Sequence, residues 1–177
     1  LGTPQISLDE APLAEPLALR EQALLFYLAV NGRPYNRSTV AAVLWDAESD
    51  QQALKNLRDV LPNLRKQLGD YLEVNHQTVG FNRDSMYWLD VEVFQRSLQA
   101  RLPFDGTQPV TVDNSVQLRN VLNLYRGDFL EDFFVRGASG FESWALLQRS
   151  QMQKLVVRGW QTLMSHYAQQ AENELGI

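Results

Sequence analysis

The chain has 177 residues, 45% of them hydrophobic and 10% aromatic, enough for one large core or two small ones. It contains no cysteine, which excludes disulfides and thiolate metal sites and fits a reducing cytoplasm, and its two histidines, His76 and His166, lie far apart in sequence. The net charge of −5 argues against indiscriminate nucleic-acid binding, because phosphate neutralisation is the main sequence-independent attraction.

The first residues, Leu1 to Gln5, have neither the basic start nor the apolar core of a signal peptide and look like a cut near a strand. Apolar stretches such as Ala23 to Val30 fall well short of the roughly 20 residues that span a bilayer. Between residues 4 and 14, Ile6 and Leu8 alternate with polar neighbours before Asp9-Glu10 and Pro12, which predicts a small hairpin. The run from Leu19 to Asn31 is strongly helix-forming, and Gly32 with Pro34 stops it. A short second helix starts near Asn36 or Ser38 and carries Val40, Ala41, Leu44 and Trp45. Asp46-Ala47-Glu48 breaks it, and Ser49 with Gln52 forms a capping box that opens a third helix ending at Gly69.

In this third helix Leu54, Leu57, Leu61, Leu64 and Leu68 recur at three- and four-residue steps, so they form one core-facing stripe. Lys55 and Lys66 fall almost opposite that stripe, with Arg58 and Arg65 on one flank and Asn56 and Asn63 on the other. Residues 51 to 69 carry Lys55, Arg58, Arg65 and Lys66 against the single acid Asp59, whereas residues 1 to 95 as a whole carry 8 basic against 13 acidic residues. One locally basic helix therefore sits in an acidic domain. Pro62 lies inside this helix and removes the backbone bond to the Arg58 carbonyl, so a kink is expected.

Tyr71 to Val74 and Thr78 to Phe81 alternate around the turn Asn75-His76-Gln77, a hairpin following the cationic helix, and Met86 to Leu89 adds a possible further strand. Asp90 then caps a helix carrying Val91, Phe94 and Leu98. Residues 101 to 112 hold prolines and a glycine without helical period, so they form a linker, and the domain boundary falls between residues 95 and 100. Ser115 to Tyr125 is helical, and Ser139 with Glu142 forms a second capping box. That box opens a long helix in which Phe141, Ala145, Met152, Leu155, Val156, Trp160, Leu163 and Tyr167 recur at helical steps, interrupted by Gly159. Its apolar face needs a partner helix, and the end at Leu175-Gly176-Ile177 suggests a truncated chain.

Helix, short turn, helix and strand pair is the order of a winged helix-turn-helix, whose second paired helix enters the major groove while the hairpin wing reaches an adjacent groove or the backbone. The fold class expected is mainly α with small β hairpins. On this reading Lys55, Arg58, Arg65 and Lys66 neutralise phosphates or fork onto guanine, and Asn56 and Asn63 pair with adenine. Gln77 and Thr78 at the wing tip bond phosphate oxygens, and the first turn around Arg37 and Ser38 offers N–H groups and a charge to another phosphate.

The segments Leu54 to Gly69 and Tyr125-Arg-Gly-Asp-Phe-Leu-Glu131, together with Trp144-x-x-x-x-Arg149, resemble Streptomyces antibiotic regulatory proteins. The resemblance covers nearly the whole chain. It implies a bacterial, cytoplasmic transcription regulator: a response-regulator-type winged helix at 1–95, with recognition helix 50–68 and wing 71–81, then at 96–177 the first part of a tetratricopeptide-like bacterial transcriptional activator domain. Double-stranded DNA is the implied partner, with RNA polymerase, another regulatory protein or a second copy of the chain engaged by the helical domain.

Trp45, Trp88, Trp144 and Trp160 lie in apolar patterns and are expected in cores, while His76 is an exposed turn residue and His166 a helix-surface one. Asp128, Glu131 and Asp132 are taken as loop and capping charges, since no histidine accompanies them at ligand spacing. No glycine-rich phosphate loop, nucleophile elbow or metal motif occurs, so neither an enzyme nor a cofactor is expected. The competing reading is a protein-interaction or signalling module of a larger multidomain regulator, in which the winged helix has lost DNA binding; Pro62 and the acidic balance support it.

Overall fold

The computed structural model describes residues 1–13, 15–101 and 112–175. Most of the expected linker and the last two residues, Gly176 and Ile177, lie outside them. Among the described residues the protein is mainly helical, with six α-helices and small antiparallel sheets. They group into two compact units that are not consecutive in sequence: one of residues 5–89 and 132–146, the other of residues 1–4, 90–131 and 147–177. By contacts, then, the first unit runs from residue 5 to Leu89 and also takes in residues 132–146.

The first unit opens with the expected hairpin, β1 (Ser7–Leu8) and β2 (Ala11–Pro12), turned through Asp9 and Glu10 at φ of 50° and 64°. Two consecutive left-handed residues are what a two-residue hairpin loop needs to match strand twist. The helix α1 (Leu19–Asn31) begins after Ala18, whose N–H donates to Glu21 Oε2 at 2.9 Å. It ends where Gly32, at φ 64°, turns its N–H back to the Leu28 carbonyl at 3.0 Å. A side chain is strained there by the left-handed φ, and an added Cβ would also make the Arg83 guanidinium, which bonds the Ala29 carbonyl at 3.2 Å, move aside.

A two-residue strand that the apolar pattern does not signal, β3 (Tyr35–Asn36), precedes α2 (Arg37–Leu44). Then α3 (Asp50–Leu68) runs as one helix through Pro62, so the expected kink does not divide it. Ser49 Oγ accepts from Gln52 N at 3.3 Å, but the Gln52 side chain does not close the box; it donates to Asn56 Oδ1 at 2.7 Å. The hairpin β4 (Leu72–Val74) and β5 (Thr78–Phe81) joins β3 in a sheet of order β3-β5-β4. Met86 to Leu89 forms no strand: Tyr87 stacks edge-on against Phe81 at 5.0 Å, and Met86 and Trp88 point outward.

Leu24 and Leu28 of α1, Val40 and Leu44 of α2, Leu57, Leu61, Leu64 and Leu68 of α3, and Leu72 and Val79 of the hairpin make the core, while Leu54 is only half-buried and Ala53 takes its place. Burying each large aliphatic side chain contributes about 1.5–3 kcal/mol, which accounts for the fixed orientation of α3. Residues 132–146 add an aromatic chain in which Phe26 meets Phe133, Phe133 meets Phe141, Phe141 meets Trp144 and Trp144 meets Tyr27, with centroids 5.1 to 6.0 Å apart. The last helix, α6 (Ser139–Leu175), contributes residues up to Leu146 to this unit. Its start is not the expected capping box: Asp46 accepts from the N–H groups of Ser139 at 3.1 Å and Gly140 at 3.0 Å and from the Ser139 hydroxyl. Glu142 instead accepts from Val135 N at 2.8 Å.

The second unit contains α4 (Asp90–Arg101), α5 (Val112–Leu122) and the rest of α6, packed through Val91, Phe94, Leu98, Leu118, Leu122, Met152 and Leu163. Arg149 Nε and Nη2 hold the Phe129 and Leu130 carbonyls at 2.7 and 2.8 Å. Asp128 accepts from Gln153 at 2.9 Å and from the Tyr125 hydroxyl; burial first, then that bond, push the Tyr125 phenol up to about 12. Two tryptophans depart from core expectation, Trp88 in the first unit and Trp160 in the second, both exposed, whereas Trp45 is buried and Trp144 half-buried. Nor is His166 simply a surface residue, for its Nε2 is buried without a hydrogen-bond partner.

Candidate nucleic-acid interface

Because the leucine stripe of α3 is turned into the core, the opposite face is fixed toward solvent: Gln51, Gln52, Lys55, Arg58, Asp59, Pro62, Arg65 and Lys66 are all exposed. Lys55 is free of ion pairs among the described residues. Lys66 lies 4.0 Å from Glu15, with both side chains largely exposed, so this pair is screened and weak. Arg58 donates from Nε to its own helix at the Leu54 carbonyl, 3.2 Å away.

Arg58 and Arg65 share a surface concavity of about 350 Å³ with Arg37 from the start of α2. Leu61, Pro62 and Val74 form its apolar remainder, and no acidic residue lines it. Arg37 is half-buried, with its Nε shielded from solvent and without a hydrogen-bond partner. The sequence places Arg58 and Arg65 on one flank; that Arg37 joins them follows from the sheet, in which Asn36 pairs with Thr78 and the Arg37 N–H donates to the Gln77 carbonyl at 2.9 Å. The Arg37 N–H expected to be available to a phosphate is therefore already used, whereas Ser38 is exposed.

The asparagines of the other flank each make a hydrogen bond within the protein. Asn63 is half-buried, and its Nδ2 donates to Glu21 Oε1 at 2.8 Å. Glu21 is only 6% exposed, so its carboxylate demands such a partner, and the bond commits one Asn63 N–H to α1. Asn56 is half-buried and accepts from Gln52. Sequence reasoning missed Glu21, although its place three residues after Ala18 is where a helix-start carboxylate belongs.

The turn between β4 and β5 is closed by its own side-chain hydrogen bonds. Asn75 Oδ1 accepts from the N–H groups of Gln77 at 2.9 Å and Thr78 at 2.7 Å, and its Nδ2 donates to Thr78 Oγ1 at 2.7 Å. The Gln77 side chain is exposed beside His76, while Thr78 is half-buried and keeps its hydroxyl proton available. Among the described residues no cluster of His, Cys, Asp and Glu that could hold a metal ion is present, and no helix is long and apolar enough to cross a membrane. No protein-family model matches the chain, and no curated protein matches it.

Proposed function

We propose that the protein binds double-stranded DNA as part of a transcription regulator, with α3 in the major groove and the β4–β5 hairpin as the wing. The observation that carries this reading is the outward cationic face of α3, Lys55, Arg58, Arg65 and Lys66, held beside a hairpin in a helix–strand–helix–helix–hairpin order. The β4–β5 hairpin and β3 form one sheet of order β3-β5-β4, and Val74 of β4 lines the same concavity as Arg58 and Arg65 of α3, which supports a hairpin acting beside this helix. Lys55 and Arg58, with Gln51 and Gln52 at the open end of the helix, are the base-reading group; Lys66, Gln77, Thr78 and Ser38 contact the backbone. The helices after residue 90 are the part that engages polymerase, another regulator or a second copy, consistent with the resemblance of Tyr125 to Glu131 to Streptomyces antibiotic regulatory proteins.

The test is the double variant Lys55→Ala/Arg58→Ala assayed against duplex DNA by fluorescence anisotropy. Binding is expected to weaken at least tenfold while the thermal midpoint stays nearly constant, because both side chains point away from the core. Unchanged affinity contradicts the placement.

A protein-interaction module is the second reading, favoured by the Asn63–Glu21 bond, which withdraws one expected base reader, and by the net charge of −5. Failure of the folded protein to bind any duplex at low salt selects it.

A further inference from the structure

Three arginines line one small concavity that has no carboxylate among its lining residues. Arg58 spends its Nε on the Leu54 carbonyl, which leaves its terminal nitrogens for a ligand, and Arg37 is half-buried with its Nε shielded, so its terminal nitrogens are the ones a ligand would meet. Pro62 sits on the outward face of α3 between Arg58 and Arg65 and brings no N–H, so with Leu61 and Val74 it makes an apolar floor. Such a floor displaces water and strengthens any charge interaction above it. Planar guanidinium forks match the oxygens of a phosphate in paired hydrogen bonds, which ammonium groups do not reproduce.

We propose that Arg37, Arg58 and Arg65 form a seat for a single phosphate group, with Pro62 as its floor. Under the DNA reading, on which only the source of the phosphate rests, it is one phosphodiester of the duplex backbone. A free phosphate or a phosphomonoester presents the same oxygens. The seat also divides labour along α3: its second half fixes position on the backbone, and base reading is confined to the first half, from Gln51 to Lys55, together with whatever Arg58 donors the phosphate leaves.

The experiment has two arms. In the first, inorganic phosphate is titrated into the whole protein while the arginine Nε–H signals are followed by NMR. Saturable shifts of Arg37, Arg58 and Arg65 with one common midpoint are expected, and shifts with separate midpoints, or none, overturn the single seat. In the second, the dependence of log affinity for random-sequence duplex on log salt is compared between the wild type and Arg37→Gln/Arg58→Gln/Arg65→Gln. One shared phosphate predicts a slope shallower by about 0.9, whereas a separate phosphate for each arginine predicts about 2.7. A change near 2.7, or no change, also overturns it. Phosphate binding without duplex binding leaves the seat standing for a free ligand and removes the DNA reading. Duplex binding with neither the common shift nor the slope change does the reverse. Should the triple variant not fold, Arg58→Gln/Arg65→Gln, both at exposed positions, is used in the phosphate arm, where it is expected to abolish the Arg37 shift.

Discussion

Asn63 of α3 donates to Glu21 of α1 at 2.8 Å, a bond between two helices 42 residues apart in sequence. It ties the flank of the cationic helix to a buried carboxylate that also holds the Ala18 N–H, so one acid fixes both the start of α1 and the rotation of α3. Replacing Asn63 with Ala strips a partner from a buried charge and is expected to cost about 1–3 kcal/mol of stability. The same substitution leaves DNA affinity and sequence preference within about twofold in the folded protein, as measured by anisotropy below the unfolding temperature. A tenfold loss of affinity without loss of stability restores Asn63 as a base reader.

Pro62 sits in the interior of α3 at an exposed position, where it denies the Arg58 carbonyl its usual partner. Pro62→Ala is expected to raise stability, by up to about 3 kcal/mol on the helix-propensity scale. Chemical denaturation reads this directly. If the proline is the floor of the arginine concavity, the more stable variant also binds inorganic phosphate more weakly.

Asp46 holds the first N–H groups of α6 and the Ser139 hydroxyl, and these bonds, the hydroxyl first, keep its carboxyl below its ordinary value of 3.8. A depressed carboxylate contributes stability in full above that ordinary value and loses it as pH falls through the folded-state value. The contribution therefore disappears in strongly acid solution, below about pH 4. Asp46→Asn keeps an acceptor but no charge, so its thermal midpoint is expected to lie below that of the wild type at pH 7 and to converge with it toward pH 2. Parallel curves across that range contradict the assignment. Asp46→Ala removes the cap altogether and costs about 0.5–2 kcal/mol.

Gly140, in the first turn of α6, approaches the backbone of Val43 so closely that an added Cβ would lie 2.9 Å from its carbonyl oxygen and 3.1 Å from its Cα. Backbone does not yield as a side chain does. Gly140→Ala should therefore destabilise the protein, despite a helix-propensity gain of about 1 kcal/mol, and a raised thermal midpoint shows that the two segments separate at no cost.

Local signals carried much of this architecture. The leucine period places α3 and its outward face, Gly32 and Gly69 stop their helices, and Asp9-Glu10 turns the first hairpin. What the chain did not disclose depends on partners remote in sequence. Asp46 caps α6 across 93 residues, so Ser139 and Glu142, which fit a capping box by spacing, are used otherwise. The strand at Tyr35–Asn36 is too short to show a period and exists because β5 lies beside it. Arg37 joins Arg58 and Arg65 through that pairing, and half-buried Asn63 is bonded to an acid in α1. A two-residue strand therefore brings Arg37 beside Arg58 and Arg65, and a buried carboxylate engages Asn63.

The most direct test of DNA binding is anisotropy of the wild-type protein with duplex DNA between about 50 and 200 mM salt. Affinity is expected to fall about twelvefold across that range if Arg37, Arg58 and Arg65 share one phosphate and Lys66 takes another, with Lys55 on a base, and about 150-fold if each of these four cations takes its own phosphate. No binding at 50 mM salt by the folded protein, or binding indifferent to salt, contradicts the account.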